Sequence, residues 1–133
     1  MSPVVNTIVL DSEGLSAWIR QDRKVERRIQ IFYEQEATLA LCANTVIEAT
    51  HAGTGIPRLH WLLSRVRVEP VTEASAKAAA RLLKDAGLHG REYAIDATVA
   101  EMALRQPGPV VMMTSDPDDM ARLCGDRIRL MGI

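Results

Sequence analysis

The chain has 133 residues, 47% apolar and 25% charged, with 16 Lys and Arg against 17 Asp and Glu for a net charge of −1. At that length residues 1–133 are expected to form one domain that needs no disulfide or metal staple, and the balanced charge excludes a general basic coat for nucleic acid while leaving room for a local basic face. Cys42 and Cys124 are too few for a disulfide framework and read as small hydrophobes. No Lys or Arg precedes Arg20 and no apolar run nears the roughly 18 residues of a membrane span, so the expected compartment is the cytoplasm, with no secretory signal and no membrane partner.

In chain order, Val4–Leu10 is a β-branched, apolar run that predicts a strand buried on both faces and stops at Asp11. Leu15, Trp18 and Ile19 follow at helical spacing. Val25, Ile29 and Phe32 mark a second helix whose other side carries Arg23, Lys24, Arg27 and Arg28. Thr38–Ala43 is a second strand. Asn44-Thr45 opens a helix, with Gly53 and Gly55 as its stop, and Pro57 sits in the first turn of the next, whose buried side is Leu59, Leu62, Leu63 and Val66. Val66–Val71 alternates as a third strand. Thr72 caps an alanine-rich helix that ends at Gly87. Leu88–Glu92 reads as a loop and Ala94–Arg105 as a helix ended by Pro107-Gly108-Pro109. Val110–Met113 is a buried strand, Asp118–Cys124 a short helix, and Arg127–Met131 a last strand. Strands alternating with helices indicate an α/β fold, a three-layer α/β/α sandwich with a mostly parallel central sheet.

Such sheets bind ligands outside the carboxyl ends of their strands. Asp11 and Asp116 follow the first and fourth strands, Glu48 lies in the first turn or so of the helix after the second, and Asp96 opens the late helix. Each acid alone is explained as a helix cap: Asp11 precedes a helix, Thr45-Val46-Ile47-Glu48 fits a capping box, Asp96 can cap its helix, and Asp116-Pro117 is a helix-start signature. Capping does not call for two acids ending buried strands and two more at helix starts. If the four converge, their mutual repulsion calls for a divalent cation, and an all-oxygen donor set favours Mg²⁺ or Mn²⁺.

Val9-Leu10-Asp11-Ser12, Thr45-Val46-Ile47-Glu48, Ala94-Ile95-Asp96-Ala97 and Thr114-Ser115-Asp116, in that order and spacing, resemble the four acidic motifs of PIN-domain nucleases, and most of all the VapC-type toxins of bacterial toxin–antitoxin systems. The resemblance spans nearly the whole chain. It implies a PIN-like fold, a Mg²⁺- or Mn²⁺-dependent endoribonuclease, an RNA substrate, a small cognate antitoxin and a homodimer. It makes Asp11, Glu48, Asp96 and Asp116 the catalytic and metal-binding acids, with Ser12 and Thr114 or Ser115 as supporting hydroxyl residues. Glu13 departs from the pattern, which often has a small polar residue or Asn there, and Asp118 and Asp119 crowd the fourth motif.

Arg23, Arg27 and Arg28, with Lys24, read either as contacts to RNA phosphates or antitoxin, or as a solvated helix face. Arg20 and Arg91 are further phosphate candidates. Trp18 and Phe32 read as core, and Trp61 as partly exposed. His51, His60 and His89 lack metal-type spacing. Two other classes remain open on the residues alone: an acid-pocket phosphotransfer or phosphatase domain, in which Glu13 stands where a second Asp is expected, and a catalytically silent PIN-fold binding module.

Overall fold

The computed structural model describes residues 4–133. These residues form five strands and seven helices: β1 Thr7–Leu10, α1 Ser12–Ile19, α2 Arg23–Glu34, β2 Thr38–Cys42, α3 Ala43–Ala49, α4 Ile56–Leu63, β3 Arg67–Glu69, α5 Glu73–Ala86, α6 Gly90–Arg105, β4 Val110–Thr114, α7 Pro117–Cys124 and β5 Arg129–Gly132. The strands make one sheet in the order β3-β2-β1-β4-β5, with every pair parallel. β1, β2 and β4 read as near-continuous apolar runs because parallel strands in this position are covered on both faces. Alternation along β1 sends Ile8 and Leu10 into a core with α1, α2 and α4, while Val9 faces the core under α5, α6 and α7. The result is the expected three-layer α/β/α sandwich around a parallel sheet. Among the described residues no helix is long and apolar enough to cross a membrane.

The chain adds β2 and β3 on one side of β1 and β4 and β5 on the other, so the strand order reverses between β1 and β4. A crevice at the carboxyl ends of the strands opens at such a reversal. Leu10 pairs with Met113 there, which brings Asp11 beside Thr114 and the Ser115-Asp116 turn.

Several boundaries depart from the sequence reading. β1 starts at Thr7, and Val4 is exposed. β3 is a three-residue edge strand, because Pro70 has no N–H to extend the ladder. β5 begins two residues later than expected, after Ile128 has entered the core. The expected Leu88–Glu92 loop is instead partly helix: α6 starts at Gly90, with His89 as cap accepting the Arg91 N–H on Nδ1 at 3.3 Å, and it kinks at Tyr93 (φ −114°, ψ 15°). Thr72, with Ser75 as its partner, caps α5 as expected, and Gly87 closes that helix at φ 68°, a conformation glycine takes at least cost.

Candidate active site

Asp11 is buried at the end of β1, and both of its carboxylate oxygens are committed. Oδ1 accepts the Gly14 N–H at 2.8 Å, which caps α1; Oδ2 accepts the Ser115 N–H at 3.1 Å, which ties the end of β4 to the end of β1. The cap reading therefore holds for Asp11, but only for one of its oxygens. Burial pushes the Asp11 carboxyl above the ordinary carboxylate range, against the pull of the Gly14 N–H, the Thr114 hydroxyl and the Ser115 N–H, and Glu13 adds to the rise. Thr114 is fully buried, and its hydroxyl also accepts the Asp116 N–H at 3.0 Å. Of the two hydroxyl candidates before the fourth acid, Thr114 thus works through its side chain and Ser115 through its backbone.

The other three acids are not side-chain caps. α3 begins at Ala43, directly after β2, so Thr45 lies inside the helix and the expected Thr45–Glu48 capping box does not form. The Thr45 hydroxyl is buried without a hydrogen-bond partner. Glu48 stands in the last turn of α3 rather than its first, exposed, and its Oε1 accepts the Ser12 hydroxyl across the α1–α3 seam. Asp96 does not open a helix: it lies inside α6, just past the kink at Tyr93. Asp116 occupies the N-cap position of α7 but makes no side-chain cap hydrogen bond, which leaves its exposed carboxylate free.

These acids share one electrostatic field. The half-buried Asp96 carboxyl is pushed up to about 6, first by burial and then by Glu48, Asp116, Asp11 and Asp119. Glu48, Asp116 and Asp11 thus lie near enough to act on Asp96, and so does Asp119; Asp118 is exposed on the surface of α7. One pair escaped sequence reasoning. Asn44 on α3 donates to the Thr98 hydroxyl at 3.2 Å, and that hydroxyl donates to the Ile95 carbonyl at 2.7 Å, which ties α3 to the turn of α6 that carries Asp96. Two polar side chains so close in sequence to Glu48 and Asp96 were the available signal. Among the described residues no three Asp, Glu, His or Cys side chains stand close enough together to hold an ion as they lie. The candidate donors are all carboxylate oxygens, the kind a hard divalent cation takes.

Around this centre, Arg23, Lys24 and Arg27 are exposed on α2, while Arg28 donates to the Gly132 carbonyl at 2.7 Å and pins the end of β5. Trp18 and Phe32 are core residues, and Trp61 is 50% exposed, with the guanidinium carbons of Arg58 and Arg65 at 5.2 and 4.8 Å from its ring.

No protein-family model matches the sequence, and no curated protein does. Among solved structures, the chain is similar to one from the crystal structure of VapBC2 from Rickettsia felis bound to a DNA fragment from their promoter. The TM-score is 0.70, over 96% of this chain and 98% of that one, at 14% sequence identity. The two chains share a fold. At that identity the likeness speaks for the arrangement of sheet and helices, and the site stands on its own residues.

Proposed function

We propose that the protein is an endoribonuclease that hydrolyses RNA phosphodiester bonds with Mg²⁺ or Mn²⁺ held by Asp11, Glu48, Asp96 and Asp116, and that it is the toxin of a toxin–antitoxin system. The observation that carries this reading is the Asp96 carboxyl, pushed up to about 6 with Glu48, Asp116, Asp11 and Asp119 among the causes. These acids come from separate elements: Glu48 from α3, Asp96 from α6, Asp116 from the start of α7 and Asp11 from the end of β1. When bound, a divalent cation supplies charge neutralisation at this crowd and lowers the pKa of a water that attacks phosphorus.

The chain's own residues divide the work. Asp11, clamped by the Gly14 and Ser115 amides, is the rigid anchor of the donor set. Asp116, free of capping duty, can turn its carboxylate toward Asp11 and Asp96. Glu48, held by the Ser12 hydroxyl, orients the attacking water or adds a ligand oxygen. Asn44 and Thr98 keep α3 against α6, and so keep Glu48 and Asp96 in register. Arg23 and Arg27 offer phosphate contacts outside this centre.

The toxin part of the reading is supported by the shared fold with a chain of VapBC2 and by exposed apolar side chains, among them Trp61, Ile47 and Ile31, available to an antitoxin or a second copy of the chain. Two experiments test the whole. Cleavage of a mixed RNA pool should require Mg²⁺ or Mn²⁺, stop with chelator, and fall about 100-fold in Asp96→Asn while the fold is kept; a variant that cleaves like wild type overturns the assignment. Expression of the chain alone should arrest growth, and co-expression of a short neighbouring reading frame should relieve it; harmless expression removes the toxin reading.

A further inference from the structure

The seam between α1 and α3 continues beyond the Ser12–Glu48 hydrogen bond into a cavity of about 450 Å³. Ser16, one helical turn or about 6 Å along α1 from Ser12, and Ala49, next to Glu48, form its near edge. Ile19 and Ala49 give it an apolar lining, and Arg20 and His51 stand at its rim. A cavity of a few hundred Å³ with apolar walls and a few fixed polar groups is the usual form of a small-ligand site.

The polar groups are built in. His51 is held by a tight turn in which its N–H donates to Thr54 Oγ1 at 2.9 Å and its carbonyl accepts the Thr54 N–H at 3.0 Å. The Gly53 N–H donates to His51 Nδ1 at 3.0 Å, so the neutral ring carries its proton on Nε2. A Cβ at Gly53 would lie 3.1 Å from the His51 ring, so a larger residue there would push against the imidazole. Arg20 is exposed and makes no ion pair among the described residues, in contrast to Arg58, which is paired with Glu26 at 3.2 Å. Arg20 also borders a second cavity of about 140 Å³ that reaches Glu13 and Ser115 beside the acids. It therefore lines both cavities, at the end of α1 away from Ser12.

We propose that this cavity is a nucleotide subsite for single-stranded RNA: Arg20 binds a backbone phosphate of the strand, and the adjoining base rests on Ile19 and Ala49 with its polar edge toward Ser16 and the His51 Nε2–H. The inference rests on the RNA-cleaving reading of the acidic site. A polyanion is favoured over a protein segment because Arg20 is a permanent cation without an ion-pair partner among the described residues and the His51 Nε2–H is a further donor.

The test is binding of a fluorescent single-stranded RNA oligonucleotide in chelator, over a range of salt, by wild type, Arg20→Ala, Arg20→Lys, His51→Ala and Lys84→Ala as a charge-loss control on α5. Arg20→Ala should weaken binding about tenfold and lower the slope of log Kd against log salt by about 0.7, as loss of one phosphate contact on a single strand does. Arg20→Lys should keep the slope, His51→Ala should weaken binding without changing it, and Lys84→Ala should bind like wild type. With Mn²⁺, Arg20→Ala should raise KM and leave kcat within about twofold, the signature of lost uniform binding. Arg20→Ala and His51→Ala that match wild type in affinity and slope overturn the subsite, as does a wild type that binds no RNA. Variants with normal RNA binding that lose a co-expressed partner protein overturn it too, and assign the cavity to a partner segment. An Arg20-dependent slope in a chain that cleaves nothing with any divalent cation upholds the subsite and sinks the nuclease reading, so the two failures are separable.

Discussion

The Asp11 carboxylate accepts hydrogen bonds from two backbone amides, one in α1 and one in the turn after β4, and among the described residues Asp96 accepts from none, although burial raises the pKa of both. Removing each charge at constant size should therefore act on the fold with opposite signs. In Asp11→Asn one amide N–H faces an NH₂ group, and a buried donor left without an acceptor costs about 1–3 kcal/mol. In Asp96→Asn no hydrogen bond is lost and one member of a repelling set disappears, so the metal-free protein should melt higher than wild type at neutral pH. The pH window follows from the shift. An acid whose pKa rises from 3.8 to about 6 on folding binds its proton more tightly in the folded state, so its ionisation destabilises the fold progressively between these values and fully above them. The advantage of Asp96→Asn should thus be absent near the lower pKa, open as pH passes through the window, and stay level beyond it. Thermal unfolding in chelator across that range checks this, and a gap of constant size throughout removes the electrostatic account of Asp96.

At the scale of elements, the central strands were legible because burial on both faces leaves little room for polar residues, and β1, β2 and β4 announce themselves as apolar runs. The two ends of α5 were legible for a different reason, since Thr72 and Gly87 are residues with strong positional preferences at helix ends. α3 and α6 were misread where a local signal was overruled by packing. Thr45 and Glu48 have the spacing of a capping box, but the abrupt turn from β2 into α3 at Cys42–Ala43 draws Thr45 into the helix and buries it. His89 and Gly90 carry no strong helix-start signal, so the first turn of α6 and its kink at Tyr93 were invisible, and with them the true place of Asp96. The Thr45 error leaves a measurable trace. Its buried hydroxyl has no partner, so Thr45→Val, which keeps the branched shape and removes the stranded polar atom, should stabilise the protein by about 1 kcal/mol. RNA cleavage should be unchanged, because Thr45 is not among the acids. A destabilised variant in equilibrium unfolding would mean that the hydroxyl has a partner after all.

For the whole molecule, the meeting of Asp11 with the turn that bears Asp116 was readable only as a pattern, because it depends on the reversal of strand order between β1 and β4, which sequence-local signals do not carry. Order and spacing pointed to one sheet end; the parallel register of Leu10 with Met113 sets Asp11 beside the turn that bears Asp116. Gathering carboxylates at one end has a consequence for the stability of the entire chain. Without a cation, Asp96 and Asp11, both raised in pKa, lower stability as pH climbs out of the acid range. With Mn²⁺ present the balance changes, because ligation needs ionised carboxylates and protons compete with the metal. A ligand at 100 times its Kd adds about 2.7 kcal/mol to folding stability by mass action, and that Kd tightens as Asp96 loses its proton. The Mn²⁺-induced rise in melting temperature should therefore be small near pH 5 and grow through about pH 6 to 7, opposite in sign to the trend in chelator, where Asp96 alone contributes a decline. Asp96→Asn should flatten both trends, since the group that couples pH to the metal is gone. Melting curves of wild type and Asp96→Asn with Mn²⁺ and with chelator at these three pH values decide the matter: a Mn²⁺ increment that does not vary with pH, or that survives unchanged in Asp96→Asn, places the cation away from the strand ends.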